Sequence, residues 1–394
     1  MTRSSRHQLS IMGMMTGTSC DAIDAVVVRF EKENFSLIRS GSLAYPRSLR
    51  ERVLEFQAQG SAHDMATLLK LQKDLGVWYA KCAQRFLKTF ACPVDVIGNH
   101  GQTVAHFPGL GTLQLGEPSW IAAATGKTVV SDFRSGDFAA GGQGAPLVPR
   151  FHVLLMRERS LLSEGCSIHN LGGISNLTYA HRTHRVLAWD TGPANLWIDA
   201  AVAMKSSGRM KFDRGGRLAA AGSVDLSRVE KLLRDPYFDL PPPKSTGRDH
   251  FRIEKLETIL DDLSPEDAAA TATFATAMSI ARAYKKQILE RRLPLRRIFF
   301  CGGGANNPVL LGQIEDLLNP GRTQIIVDTT RSLGVDPQDM EAAAFAFLTR
   351  ESLAGNALGG SWTGARAFGP PGKISPAENW PLLVQKLTQF SATQ

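Results

Sequence analysis

Short apolar runs alternate with glycine-rich turns at the start of this chain. Between Ile11 and Val28, two apolar runs, the second rich in β-branched residues, are joined by the turn TGTSCD. Strand-type residues resume directly after the turn, so the pattern predicts a β-hairpin rather than the strand-to-helix connection of a P-loop. The run FSLIRSGSL then extends the hairpin into an antiparallel meander.

The apolar spacing next changes to the three- and four-residue period of a helix, which predicts helical structure over residues 51–90. VDVIGNHGQT indicates a buried strand that ends in a polar turn, a common position for ligand contacts in α/β sheets. A strand at TVVSD precedes a stretch rich in glycine, alanine and proline that extends to residue 151. We expect this stretch to be a non-helical loop that lines a site.

The second half repeats this organisation. CSIHNLGGISNLTYA and HRVLAWDTGPAN indicate paired strands, and a helix is predicted from about Asn195. Further along, the pattern predicts an alanine-rich helix over 265–291, a strand, glycine turn and helix over RIFFCGGGANNPVLL, a strand at IIVDTT, a last major helix over 338–351 and an irregular tail beyond Gly355. Because each half opens with a hairpin, we expect two similar domains whose hairpin turns face each other.

Composition narrows the class of protein. A chain of 394 residues with 43% hydrophobic content is expected to form two domains. The basic N-terminal segment has a short apolar run that is broken by Gly13, and no other run has the length of a membrane span. We therefore expect a cytoplasmic protein without a membrane partner. Five cysteines without Cys-x-x-Cys spacing indicate neither a disulfide framework nor a zinc knuckle.

The formal net charge of +8 is a mild excess for this length. The densest basic cluster, LERRLPLRR, is interrupted by Pro294 and precedes an apolar strand. We interpret the cluster as the solvated end of a helix and the turn into that strand rather than as a nucleic-acid-binding surface. The positive charge is equally compatible with a small anionic ligand.

Three glycine-rich turns follow predicted buried strands, namely TGTSCD, WDTGPAN and CGGGANN. Backbone N–H groups at such turns bind anions, and Asp21 and Asp24 lie within reach of a metal ion that accompanies a phosphate. Each turn alone is compatible with a tight connection whose polar side chains bond nearby backbone. Together the turns favour a nucleotide held at its phosphates and at its adenosine.

The chain resembles the anhydro-N-acetylmuramic acid kinases in the motifs MTGTSCDAID, IGNHGQTVAHFP, LQLGEP, DFRSGDFAAGGQGAPLVP, NLGGISN, DTGPAN, DPYFDLPPPKSTGR, CGGGANNP and MEAAAFAF. The resemblance runs from about Gly13 to Ala377. It implies an α/β protein with two ribonuclease-H-like domains of the actin/hexokinase-like ATPase type and a central cleft. The expected domains are residues 1–131 with about 355–394, and residues 132–354.

The resemblance also implies a reaction. Such enzymes use ATP and Mg²⁺ to open the 1,6-anhydro ring of 1,6-anhydro-N-acetylmuramic acid with water and to phosphorylate O6, which gives N-acetylmuramic acid 6-phosphate in peptidoglycan recycling. The implied partners are the sugar, ATP and a second copy in a homodimer. A kinase for another anhydro or amino sugar, and an actin-like nucleotide-switched binding protein, are the alternatives.

The same resemblance assigns roles to single residues. Asp190, in DTGPAN, corresponds to the catalytic aspartate. The implied ATP-binding residues are Gly17, Thr18, Ser19, Cys20, Asp21, Ala22, Ile23, Asp24, Gly302, Gly303 and Gly304, and Asp21 is expected to place Mg²⁺. The implied sugar-binding residues are Arg134, Glu341, His100 and Gln102, with Arg134 facing the lactyl carboxylate.

The chemistry of a bicyclic sugar is consistent with a single catalytic carboxylate. O6 is tied to C1 in a 1,6-anhydro sugar, so it is not a free hydroxyl that could attack a phosphate. A glycosidase uses a carboxylic acid to protonate the leaving oxygen and a second carboxylate at the anomeric side. If the γ-phosphorus captures O6 instead of a proton, one ionised carboxylate that activates water at C1 is sufficient. Asp190 is the candidate for this base.

Each assigned side chain also has a structural alternative. Asp190 could cap a turn or hold a magnesium-bound water, and Glu341 could be a capping carboxylate at its helix N-terminus. Arg134 could be a surface residue paired with Asp132 or Asp137. His100 and Gln102 could be structural, and the turn between His100 and His106 disfavours a helical metal pair.

Three positions depart from the family pattern. Ala22 stands where glycine is usual, Ala194 replaces the second glycine of DTGPGN, and Asn306 replaces an arginine after the third turn. None of them removes a proposed catalytic group, so we expect activity. Ala194 would affect substrate fit if its position required a positive φ.

Overall fold

The structure is a computed structural model that describes residues 8–17, 20–31, 34–58, 64–107, 109–247, 250–321 and 324–391. The chain divides into two compact units. Unit 1 comprises Met1–Phe151 and Asp339–Gln394, and unit 2 comprises His152–Gln338. Among the described residues, none of the helices combines the length and the apolar character needed to cross a membrane.

The strands are β1 (Gln8–Met15), β2 (Ala22–Glu31), β3 (Asn34–Ala44), β4 (Val96–Asn99), β5 (Gln102–Phe107), β6 (Gly111–Leu115), β7 (Val129–Ser131), β8 (Cys166–Leu171), β9 (Ile174–His181), β10 (His184–Pro193), β11 (Arg297–Cys301), β12 (Ile326–Thr329) and β13 (Lys373–Ser375).

The helices are α1 (Arg47–Gln57), α2 (Met65–Phe90), α3 (Pro118–Thr125), α4 (Ser135–Ala139), α5 (Pro149–Glu158), α6 (Asn195–Lys205), α7 (Arg217–Ala221), α8 (Leu226–Leu232), α9 (Ile253–Leu260), α10 (Pro265–Tyr284), α11 (Pro308–Leu318), α12 (Met340–Leu353) and α13 (Trp380–Ser391). A π-helical turn, Lys285–Leu289, extends α10, and 3₁₀ turns include Pro236–Asp239 and Gly303–Asn306.

Unit 1 is built on a sheet with the strand order β13-β7-β4-β1-β2-β3. β1, β2 and β3 form the predicted antiparallel meander, and β4 and β7 continue the sheet parallel to β1. The carboxyl ends of β1 and β4 therefore share one edge with the turn between β1 and β2. Gly17, His100 and Gln102 all follow strands at this edge.

Unit 2 has a sheet with the order β10-β9-β8-β11-β12. β8, β9 and β10 are antiparallel, and β11 and β12 continue parallel to β8. This is the same arrangement as in unit 1, a three-stranded meander followed by parallel strands on the side of its first strand. The repeated topology confirms the predicted α/β fold with two ribonuclease-H-like domains. The cleft predicted between them stays a prediction.

The unit boundaries differ from the expected domains, because residues 132–151 and 339–354 belong to unit 1. Residues 339–354 join unit 1 because α12 packs on β1 and β2. A Cβ on Gly13 would lie 2.1 Å from the carbonyl oxygen of Ala342, and one on Gly98 would lie 3.0 Å from that of Phe345. Because Gly13 and Gly98 have no side chains, the alanine-rich face of α12 packs directly on the backbone of β1 and β4.

Two other expectations about secondary structure are wrong. The stretch after β7 contains the short helix α4, where the carboxylate of Asp132 accepts hydrogen bonds from Ser135. The tail contains β13 and a further helix, α13, so α12 is not the last major helix. The side chain of Asn379 forms hydrogen bonds with Thr128 and with the backbone of Asp95, and it thereby fixes the start of α13 to unit 1.

The predicted helix over 51–90 is divided into α1 and α2, with residues 59–63 outside the described residues.

We expect Gly13→Ala to lower the free energy of unfolding by roughly 1 to 3 kcal/mol, because the new methyl group must push α12 away from β1. Chemical denaturation measures the change. Gly312→Ala is the matched control, because this glycine lies in α11 with nothing within 4 Å of an added Cβ. The control should be neutral or stabilising by up to about 1 kcal/mol. Equal effects of the two variants would contradict the packing argument.

Candidate active site

The turn between β1 and β2 is the first part of the site. Gly17 is exposed, and its carbonyl accepts a hydrogen bond of 3.2 Å from the N–H of Cys20, which has a φ of 54°. The side chains of Cys20 and Ile23 are buried in the core of unit 1, and Ala22 begins β2. These residues therefore offer a ligand their backbone rather than their side chains. Thr18 and Ser19 lie outside the described residues.

The two aspartates of this segment differ in their surroundings. Asp21 is exposed, and its carboxylate lies 3.0 Å from the guanidinium of Arg50. Asp24 is half-buried, and burial raises the pKa of its carboxyl while a hydrogen bond with Ser42 opposes the shift. Within the described ranges, no group of three or more His, Cys, Asp and Glu side chains could hold a metal ion. Asp21 is thus the accessible carboxylate at this turn.

Gln102 braces the same turn. Its side chain is fully buried, its Oε1 accepts a hydrogen bond of 3.1 Å from the hydroxyl of Tyr45, and its Nε2 donates one of 3.3 Å to the carbonyl of Gly17. The hydroxyl of Thr16 donates to the same Oε1. These contacts correspond to the structural alternative for Gln102, in which the side chain fixes the hairpin tip.

His100 and Arg134 form the centre of a second group in unit 1. The Nε and Nη2 atoms of Arg134 lie 3.2 and 3.0 Å from Nε2 of His100, and its Nη1 donates to the carbonyl of Gly144 at 2.7 Å. Burial and the nearby guanidinium lower the pKa of His100 well below its ordinary value. Because the neutral ring accepts at Nε2, its hydrogen lies on Nδ1.

Two buried donors at the end of β4 lack partners among the described residues. They are Nδ1 of His100 and Nδ2 of Asn99. Buried polar groups are nearly always hydrogen-bonded, so an unpaired pair of donors at a strand end indicates a place for a ligand oxygen. Asn99 was not predicted as a site residue, although it precedes His100 in the polar turn that the sequence indicated.

Arg134 has acidic neighbours in addition to its hydrogen-bond partners His100 and Gly144. Burial lowers the pKa of Arg134 to about 10, while the charges of Glu341 and Asp137 oppose that shift, so the guanidinium stays charged. Glu341 lies in the first turn of α12. Asp132 instead pairs with Lys373 at 2.5 Å. The carboxylate of Asp137 accepts hydrogen bonds of 2.7 Å from Gly144 N–H and from the Thr363 hydroxyl, which fixes the loop that Arg134 contacts.

Asp190 lies on β10 in unit 2, where a loop folds over it. Its Oδ2 accepts a hydrogen bond of 2.9 Å from the N–H of Thr246, and its own N–H donates to the carbonyl of Lys244 at 3.2 Å. The hydroxyl of Tyr237 donates to its carbonyl at 2.6 Å. Burial raises the pKa of Asp190 to about 6, although the Thr246 hydrogen bond and the charge of Lys244 oppose the shift. Asp190 is therefore a half-buried carboxylate with a pKa raised to about 6.

The loop contributes groups that were not predicted as site residues. Lys244 donates from Nζ to the carbonyl of Tyr237 at 2.8 Å, lies 4.4 Å from the centre of that ring, and has a pKa lowered to about 8 by burial. The buried hydroxyl of Thr246 has no partner among the described residues, which omit 248–249. Both residues belong to the motif DPYFDLPPPKSTGR, which was identified from the sequence. The contact of this motif with Asp190 was not predicted.

The glycine turn after β11 packs against the turn after β8. Gly302 has a φ of 78°, and a Cβ there would lie 2.3 Å from Oδ1 of Asn170. A Cβ on Gly304 would lie 2.7 Å from that of Leu171, whose carbonyl accepts a hydrogen bond from Asn195 Nδ2 at 3.0 Å. Gly303 has more space, with Asn195 3.5 Å away. Unit 2 thus packs the predicted turn CGGGANN against the turn after β8, with Asn195, the last residue of the predicted turn WDTGPAN, beside both.

The structure accommodates Ala194 and Asn306, two of the residues that depart from the family pattern. Ala194 is buried with a φ of −120°, outside the left-handed region, whereas Gly192 has a φ of 138°. Asn306 accepts a hydrogen bond of 3.1 Å from Nη2 of Arg331. A guanidinium from another part of the chain therefore lies beside the position where the family arginine is missing.

Asp190→Asn should change stability in a pH-dependent way. The folded-state pKa of about 6 lies above the ordinary value of 3.8, so protonation favours the folded state and the ionised form opposes folding above that pH. We expect the variant to gain on the order of 2 kcal/mol of unfolding free energy near pH 8. The gain should shrink as the pH falls through 6 and vanish below about pH 3, where the carboxyl is protonated in both states. Urea unfolding at several pH values measures this, and a gain that does not vary with pH would contradict it.

Comparisons with known proteins agree with the resemblance. The family description "Anhydro-N-acetylmuramic acid kinase" matches residues 9–377. An anhydro-N-acetylmuramic acid kinase from Gloeobacter violaceus is 39% identical over 386 residues, covering 93% of this chain and 98% of the relative. Relatives with the same name are 38% identical in Xanthomonas oryzae pv. oryzae, over 94% of this chain and 98% of the relative, and 41% identical in Burkholderia orbicola, over 85% and 88%. The chain belongs to the anhydro-N-acetylmuramic acid kinase family.

Proposed function

We propose that this chain uses ATP and water to convert 1,6-anhydro-N-acetylmuramic acid into N-acetylmuramic acid 6-phosphate, with Asp190 as the general base. The observation that carries the mechanism is the half-buried Asp190 carboxylate, which is held by the N–H of Thr246 and whose pKa is raised by desolvation to about 6. Such a group is mostly ionised at neutral pH and is a stronger base than an ordinary carboxylate, which suits proton abstraction from water.

In the proposed reaction, Asp190 takes a proton from a water molecule as the water oxygen bonds to C1 of the sugar. The bond between C1 and O6 breaks, and its electron pair stays on O6. O6 bonds to the γ-phosphorus of ATP, and the bond between that phosphorus and the bridging oxygen breaks to release ADP. No acid is needed to protonate O6, because phosphorus captures it.

The Arg134 group supports recognition of an anionic sugar. A guanidinium has five N–H donors, and three are used toward His100 and Gly144, which leaves two, one each on Nη1 and Nη2. Two parallel donors are what a carboxylate binds bidentately. We assign them to the lactyl carboxylate, and the unpaired donors of Asn99 and His100 to sugar oxygens.

The glycine turns support nucleotide binding. Gly17 to Asp24 would hold phosphates through the backbone, and Gly302 to Gly304 would let the backbone approach the adenosine side. Asp21 fits an ion that also binds phosphate oxygens, because its exposed pair with Arg50 is of a kind worth about 0 to 1 kcal/mol and is readily exchanged. Mg²⁺ would supply neutralisation of phosphate charge. We also propose a cytoplasmic homodimer, supported by the use of ATP and by the family resemblance.

A coupled ADP-release assay with 1,6-anhydro-N-acetylmuramic acid tests the function. We expect sugar-dependent turnover, with label from H₂¹⁸O in the C1 hydroxyl and not in the phosphate. Asp190→Asn should reduce kcat by at least roughly 1,000-fold, because no other group is assigned to activate water. Its ATP affinity, measured by calorimetry, should stay within about twofold.

Several results would refute this function. Near-normal turnover by Asp190→Asn would remove the base assignment. ATP turnover without sugar would favour a nucleotide switch, and preference for levoglucosan, which lacks the lactyl and N-acetyl groups, would favour a kinase for another anhydro sugar.

Arg134→Lys should raise the KM for the anhydro sugar by roughly 10- to 100-fold, or about 1.4 to 2.8 kcal/mol, because lysine cannot form the two parallel hydrogen bonds. The KM for ATP should change little. Arg150→Lys is the control, since Arg150 is a partly buried arginine of the same unit whose guanidinium is 2.8 Å from the buried carboxylate of Glu351. An equal rise in the sugar KM for both variants would show a general structural effect.

A further inference from the structure

A chain of buried polar side chains crosses the core of unit 2. The hydroxyl of Tyr284 lies 3.0 Å from Nδ1 of His169, and Nε2 of His169 lies 2.5 Å from Oγ of Ser175. Thr191 continues the chain, because its hydroxyl donates to Oγ of Ser175 at 2.6 Å. Ser167 lies 2.8 Å from the Tyr284 hydroxyl at the other end. The chain therefore joins α10, β8, β9 and β10.

The members of this chain are closed to solvent. His169, Ser167, Ser175 and Tyr284 are 0% exposed, and Thr191 is 1% exposed. Burial lowers the pKa of His169 to about 3, so its ring is neutral at neutral pH. Both ring nitrogens have a hydrogen-bond partner. The chain is thus an uncharged, satisfied network, and such networks fix the relative positions of the elements they join.

Thr191 is the residue through which this network reaches Asp190. Asp190 pairs with Asn176 and Gly192 pairs with Ser175, so Thr191 is an additional residue inside a bulge of β10. Its hydroxyl also donates to the carbonyl of Ser175 at 3.3 Å. A bulge changes the direction of neighbouring side chains and needs local contacts to keep its shape. The contacts of Thr191 supply these on the inner side of the strand.

We propose that Thr191, supported by Ser175, His169 and Tyr284, is a positioning residue that sets the direction of the Asp190 carboxylate. The proposal rests on the proposed role of Asp190 as the base. The outer loop holds Asp190 through Tyr237, Lys244 and Thr246, and the network holds the adjacent bulge from within. Loss of the Thr191 hydroxyl would leave only the loop contacts and the strand pairing of Asp190 with Asn176 to fix the carboxylate.

The test compares Thr191→Val with Thr191→Ser. Valine keeps the shape but removes the hydroxyl, and we expect kcat to fall by roughly 10- to 100-fold, because small misplacements of a catalytic group have effects of this size. The KM values for ATP and the sugar should stay within about twofold. Serine keeps the hydroxyl and should restore kcat to within roughly threefold of the parent chain.

Thr178→Val is the matched control. Thr178 is a buried threonine on β9, and its hydroxyl lies 2.9 Å from Nδ1 of His152 with no link to the bulge. This variant removes a comparable hydroxyl from the same sheet, so it should lose similar stability while keeping kcat within about twofold. Tyr284→Phe removes the far end of the network and should lower kcat by a smaller factor, roughly 3- to 10-fold.

Two results would overturn the proposal. One is an unchanged kcat in Thr191→Val, and the other is an equal loss of kcat in Thr178→Val at matched stability. Asp190→Asn, assayed in parallel, separates this proposal from the proposed function. If Asp190→Asn turns over normally, the base assignment fails. If it is inactive while Thr191→Val is fully active, only the positioning role fails.

Discussion

The proposed reaction depends on one constraint, namely that the carboxylate of Asp190 must be desolvated enough to act as a base and yet stay ionised at neutral pH. Burial raises the pKa of Asp190, and the N–H of Thr246 and the charge of Lys244 limit the rise. Burial makes the carboxylate a stronger base, and these two partners favour its ionised form. The loop from Tyr237 to Thr246 supplies these two partners, and the bulge in β10 with the network behind Thr191 adjoins Asp190 on the same strand.

The two units share a topology but differ in the chemistry they hold. Unit 1 places Arg134, His100 and Asn99 near strand ends, with donors available to an anionic, oxygen-rich ligand. Unit 2 holds the carboxylate of Asp190 on β10 and has closely packed glycine turns after β8 and β11. A duplicated fold therefore gives two equivalent sheet edges, and the side chains at each edge decide what is bound there.

Local patterns predicted the parts of the fold that depend on near neighbours in sequence. The hairpins β1–β2 and β8–β9, helix α6 and the β11–turn–α11 unit follow directly from apolar spacing and glycine positions. β13 and α13 were missed because they are fixed by distant polar contacts, such as Asn379 with Thr128. Lys244 and Thr246 were missed because an irregular loop has no periodicity to reveal which strand it covers. Asp190, Arg134 and Glu341 came from resemblance, and their roles stay predictions.

The contact of Gly13 with Ala342 has a mechanical consequence. β1 leads to the hairpin tip at Gly17, and Glu341 immediately precedes the helical residue that touches the β1 backbone. With no side chain as a spacer, the helix has no room to slide or rotate on the strand. The hairpin tip at Gly17 and the carboxylate of Glu341 are thus coupled through this backbone contact, which would keep them in a fixed relation if they bind the nucleotide and the sugar as the family resemblance implies.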